Sequence, residues 1–142
     1  MLGHFRLSAC ILVIALIVSC IGCQPNHDAS SEHNLHVDHS PLPGLPVGRI
    51  AVGKQLASTK DPNIGMSCSS CHGSNGNSPL APGYPYIGGQ YDDYLAYALT
   101  QYRAKNRLHP VMNAQAARLS DQDIADLAVY FGSQPRKIRD LH

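Results

Sequence analysis

Cys68-Ser69-Ser70-Cys71-His72 constrains this chain more than any other stretch. Its two thiols lie about one helical turn apart, and an imidazole follows at once. A thioredoxin-like redox pair would want a βαβ context, and no β-rich strand precedes Cys68. A structural zinc site would want a second Cys or His pair downstream. No cysteine follows Cys71. A short disulfide would not need the histidine. The chemistry that uses all three residues is covalent haem attachment, in which both thiols form thioethers and the histidine becomes the proximal iron ligand.

A haem with one histidine ligand still needs its sixth position filled. The chain has 3 Met: Met1, Met66 and Met112. Met66 stands too close to the thiols to reach the far side of a haem. Met112 lies in Leu108-His109-Pro110-Val111-Met112-Asn113, a loop-like stretch between two helical patterns. It is the expected sixth ligand, with His109 as the alternative. A thioether there favours reduced iron.

Apolar periodicity around these residues is helical. Ile50, Gly53 and Ala57 share one face of a helix expected over Val47–Ser58, with Gly53 admitting a close neighbour. The string Gly48–Lys54 also fits the start of a phosphate-binding loop. Gln55 stands where that loop needs Ser or Thr, and no strand precedes it, so a nucleotide site is excluded. Tyr91, Tyr94, Leu95, Ala98 and Tyr102 form a stripe on a helix expected over Gln90–Asn106. Ser120 and Asp123 announce a last helix, with Asp in place of the usual Glu of a capping box. Ile124, Leu127, Ala128 and Phe131 then repeat at helical spacing, and Gly132 and Pro135 end it. Between haem motif and middle helix, Gly73–Gly89 is a long Gly- and Pro-rich loop. With no Trp, 2 Phe and 7 Tyr, the core lacks large hydrophobes, and a buried cofactor would fill it.

The N-terminal part reads as export and tether. Leu7–Gly22 carries no charge but falls short of the roughly 20 residues of a membrane span. It fits a secretory signal over residues 1–19. Ile17-Val18-Ser19-Cys20 looks like a bacterial lipobox, making Cys20 the expected lipidated residue and Cys23 the alternative. Either choice puts the remainder in an exported, oxidising compartment. Residues 20–46 then read as the lipidated cysteine and a flexible His- and Pro-rich tether. Within it His33, His36 and His39 form a candidate weak site for copper or zinc, against the plainer reading of a polar linker. The haem domain is expected over residues 47–134 and a short tail over 135–142.

Charge narrows the partners. With 11 Lys+Arg against 10 Asp+Glu there is no electrostatic footprint for nucleic acid. Removing Arg6 with the signal leaves the two signs equal. Docking therefore has to rest on local patches, of which Arg103, Lys105 and Arg107, just before the methionine stretch, are the candidate.

Taken together, Cys68–Gly73, Asn75–Ser78, Pro85–Gln90, Pro110–Met112 and Leu119–Phe131 resemble class I cytochromes c. The likeness is closest to one half of the two-haem periplasmic carriers of the cytochrome c4 type. It implies an all-α fold wrapped around one covalent haem c, with Cys68 and Cys71 attached to it and His72 and Met112 on the iron. It further implies that Pro85 offers its carbonyl to the ring N–H of His72, and that Gly53 and Tyr130 sit where the first and last helices cross. The implied role is a non-enzymatic electron carrier with redox-protein partners and no small-molecule substrate, lipid-anchored at the exported, periplasmic face of a bacterial membrane. The alternatives are a cytochrome subunit of a dehydrogenase or reductase, a haem peroxidase, or a copper-handling lipoprotein. The single C-x-x-C-H and the His-rich tether depart from the two-haem pattern.

Overall fold

The computed structural model describes residues 39–137; the signal, Cys20, Cys23, His33 and His36 lie outside them. Among the described residues there are five helices and no strand: α1 (Ile50–Ser58), α2 (Cys68–His72), α3 (Asp92–Arg103), α4 (Pro110–Ala116) and α5 (Asp121–Gly132). None of them is long and apolar enough to cross a membrane.

The centre of the fold is α5. Ser120 accepts the Asp123 N–H while the Asp123 carboxylate accepts the Ser120 N–H, so both orphan donors at this end are satisfied. Every residue from Ile124 to Phe131 is buried. Ile124 and Leu127 are almost wholly covered, each stabilising the fold by about 2 kcal/mol. α1 crosses α5 at glycines. A methyl group on Gly53 would stand 2.0 Å from the Asp126 carbonyl oxygen, and one on Gly48 would stand 2.4 Å from that of Ala125. Tyr130 packs at this crossing and donates its hydroxyl to the Ser74 carbonyl at 2.6 Å.

Three elements differ from the sequence expectation. α1 is shorter at its start, where Arg49 is an extended cap, and α3 is shorter at both ends, where Tyr91 has a non-helical backbone and Lys105 turns left-handed at φ 61°. Met112 lies on a helix, not in a loop. His109 caps α4 and Pro110 takes its first position, where its missing N–H costs nothing. The end of the expected tether is part of the fold. The Gly48 N–H donates to the His39 carbonyl at 2.8 Å, and Leu42 and Leu45 pack against the core. The start of the expected tail is also bound. Asn77 Nδ2 donates to the Pro135 carbonyl at 2.7 Å, and Arg136 donates to the Gly89 carbonyl at 3.0 Å.

Candidate haem site

α2 is a single short helix held by its own serines. Ser67 Oγ accepts the Ser70 N–H, and Ser70 Oγ accepts the Ser67 N–H at 3.1 Å. Gly73 then turns the chain at φ 86°, a left-handed backbone that favours glycine. This geometry presents Cys68, Cys71 and His72 to one cavity of about 480 Å³. Leu95, Ala98, Leu99, Leu127 and Phe131 supply apolar wall, and α4 brings Met112 to the same space. The helical tyrosine stripe serves this cavity through Tyr94 and Tyr102. Tyr91 does not join it; it stacks under the Arg136 guanidinium at 4.6 Å.

His72 is fixed by the loop that follows it. Its Nδ1–H donates to the Pro85 carbonyl at 2.9 Å. A carbonyl only accepts, so the tautomer is set and Nε2 keeps its lone pair for a metal. Burial holds the His72 pKa below the ordinary imidazole value, opposed by the bond to Pro85. The ring is therefore neutral at pH 7, the form that binds iron. The loop itself is pinned by the Ile87 N–H on the Gly76 carbonyl at 2.9 Å and the Gly89 N–H on that of Phe131 at 2.9 Å.

Cys68 and Cys71 are not joined to each other by a disulfide. Burial pushes the Cys68 thiol up to about 11, with Cys71 adding to the effect. In the closed fold it is protonated at neutral pH. On the methionine side, Asn113 holds the backbone. Its Nδ2 donates to the carbonyls of Tyr102 and Arg107 at 2.7 and 2.8 Å, and its Oδ1 accepts the His109 N–H at 2.7 Å. His109 Nδ1 accepts the Met112 N–H at 3.3 Å, so its place in the structure is that of a cap.

Two thiols, a neutral imidazole, a thioether and an apolar wall in one cavity fit a covalently bound haem. The sequence missed Asn113, the Arg107 contacts and an ion pair between half-exposed Arg49 and buried Asp126. Only Pro110 carried a local signal for α4, the helix that holds Asn113. His39 hydrogen-bonds the Asp92 carboxylate. Among the described residues no three His, Cys, Asp or Glu side chains converge on a metal position.

Helices enclosing such a cavity define the class I c-type fold, and residues 50–134 match the model of the cytochrome c family. The chain belongs to that family, whose members carry covalently bound haem c. It is 42% identical over 71 residues to cytochrome c-554(548) of Halomonas halodenitrificans, covering 48% of this chain and 84% of that protein. It is 30% identical over 92 residues to the cytochrome subunit of sulfide dehydrogenase of Chlorobaculum tepidum, covering 65% of this chain and 81% of that one. Its fold matches the crystal structure of reduced cytochrome c4 from Pseudomonas stutzeri with a TM-score of 0.55 at 33% identity, over 61% of this chain and 48% of that chain. The chain spans about a third to a half of the length of the cytochrome c4 proteins it matches.

Proposed function

We propose that this chain carries one electron at a time on a single haem. Cys68 and Cys71 would hold the group, His72 and Met112 would take the two axial positions, and Pro85 would orient the imidazole. One observation carries the reading: His72, tied through Nδ1 and free at Nε2, shares a cavity with Met112. Haem iron supplies the chemistry, a reversible one-electron change. The protein supplies a neutral, pre-oriented imidazole and a thioether on a capped helix, which keep the ligand shell alike in both oxidation states. The apolar wall from Leu95 to Phe131 limits water around it.

The lipid anchor on Cys20 or Cys23 and the periplasmic location belong to the same proposal. They rest on the lipobox-like sequence and on the compartment where thiol chemistry is oxidising. Intact mass of the membrane-extracted protein tests them together with haem number: one haem and a diacylated cysteine are expected. The axial assignment is tested by spectra of Met112→Ala. The methionine–iron band should disappear; its persistence refutes the assignment. A second reading, a cytochrome subunit held permanently by a dehydrogenase, is favoured by the 81% coverage of the sulfide dehydrogenase subunit. Stable co-purification with a catalytic chain distinguishes it from a free carrier.

A further inference from the structure

The bond from His72 Nδ1 to the Pro85 carbonyl joins two stretches of backbone, and both hang on one short segment. On the histidine side, the Ser78 N–H donates to the His72 carbonyl at 3.3 Å and the Leu80 N–H to that of Cys71 at 2.9 Å. On the proline side, the Gly76 carbonyl accepts the Ile87 and Gly88 N–H groups at 2.9 and 3.1 Å. Asn77 stands between Gly76 and Ser78, so it belongs to both connections.

Asn77 is only 3% exposed. Its Nδ2 donates at 2.7 Å to the carbonyl of Pro135, 58 residues away in sequence, and its own N–H donates to Asn75 Oδ1 at 3.1 Å. The amide lies against the Gly88 backbone, where an added methyl group would stand 2.4 Å from Nδ2. Its Oδ1 is buried with no hydrogen-bond partner among the described residues. A half-paired buried amide carries a desolvation cost that an apolar side chain of the same shape avoids.

Fastening a loop is the plain account of such an amide. The far end of the 85–90 loop is already fastened, by the Gly89 N–H on the Phe131 carbonyl and by Arg136 on the Gly89 carbonyl. The Asn77 bond acts instead on the segment that carries both ends of the ring bond. We infer that Asn77 is a positioning residue for the iron ligand His72: by tying residues 76–78 to the C-terminal segment, it keeps the Pro85 carbonyl on the ring N–H. A hydrogen bond on the outer ring nitrogen makes the inner one more basic, which favours oxidised iron. Slackening that bond favours reduced iron. The inference rests on the single-haem reading.

The test compares the haem-loaded full chain with Asn77→Ala, Asn77→Leu and, as a control, Gly53→Ala, which strains the α1–α5 crossing and leaves residues 76–78 untouched. In proton NMR of the reduced protein, the His72 Nδ1 proton should move upfield in both Asn77 variants and exchange with solvent about tenfold faster. Equilibrated against a redox couple at fixed potential, both variants should raise the reduced-to-oxidised ratio by about threefold or more. Gly53→Ala should match wild type in both measurements. Asn77→Leu keeps the shape and removes the unpaired acceptor, so it decides the matter even where Asn77→Ala fails to fold. An unchanged or lowered ratio in Asn77→Leu, a raised ratio with the ring proton unmoved, or an equal response in Gly53→Ala overturns the inference. Any of these with His72 on the iron in wild type leaves the haem reading standing. A wild-type protein whose His72 ring shows no iron ligation overturns both.

Discussion

Asp126 offers the sharpest test of how the scaffold is held. Its side chain is completely buried on α5, while its partner Arg49 is half-exposed at the start of α1. The carboxylate accepts the Arg49 N–H at 2.8 Å, Arg49 Nε and Nη2 at 3.2 and 2.7 Å, and Gln122 Nε2 at 2.8 Å. Arg49→Met keeps the backbone and Gln122 donors but leaves a buried charge with two neutral partners. Breaking a buried pair in this way costs about 3–5 kcal/mol; the guanidinium's contact with water places Arg49→Met near the lower end, about 3 kcal/mol. In a domain of this size that lowers the melting temperature by about 15 °C. Asp126→Asn, which puts an amide N–H against the guanidinium, should cost about 2 kcal/mol. The double variant should recover part of the summed loss. Burial alone would push the carboxyl up, but the hydrogen bonds from Arg49 and Gln122 and the Arg49 charge bring it below its ordinary 3.8. A depressed pKa stabilises fully above the unfolded value and loses that contribution as pH falls through the folded one. The gap between wild type and Asp126→Asn should therefore be constant near neutral pH and narrow below about pH 4. Urea unfolding of the haem-loaded protein, followed by far-ultraviolet circular dichroism at pH 7 and pH 3.5, measures all of this. Arg49→Met within 0.5 kcal/mol of wild type, about the usual noise of a surface change, would refute the reasoning.

Gly53→Ala should destabilise by about 2 kcal/mol although alanine is the better helix former, because its methyl meets the backbone of Asp126 rather than a side chain that can move; an unchanged urea midpoint contradicts this. Truncation after Gln134 removes the Pro135 and Arg136 contacts to Asn77 and Gly89. Amide exchange at Ile87–Gly89 should then accelerate by about tenfold, with exchange elsewhere little altered. Asn113→Ala removes three hydrogen bonds from the segment before α4, and trypsin should cut after Arg107 about tenfold faster. Cutting at the wild-type rate would show that Asn113 is not the clamp.

What could be read in advance was local. Cys68-x-x-Cys71-His72 fixes its spacing within five residues, and Ser120 with Asp123 forms its cap within four, so each pattern is complete in one short string. α4 was hidden because a helix of seven residues shows too little apolar period, although Pro110 marks its first position. Arg49 and Asp126 are 77 residues apart, and nothing near either residue announces the other. The segment before Val47 is polar and rich in proline, which suggested a tether; two leucines, Leu42 and Leu45, suffice to fasten its end to the core. The proximity of Met112 to His72 depends on how α3, α4 and α5 pack, which no periodicity records.

The crossing of α1 on α5 bears on the order in which this molecule matures. A chain emerging from its N-terminus cannot close the fold until α5 has followed, because the surface that receives Gly48 and Gly53 is built from Ala125, Asp126 and Val129. Cys68 and Cys71 emerge well before that, without Leu127 or Phe131 to cover the space beside them. Closing a contact between the first and last helices is also slower than forming the short helix between them. A group attached to the thiols at that stage would be covered when α5 packs against α1 and α3.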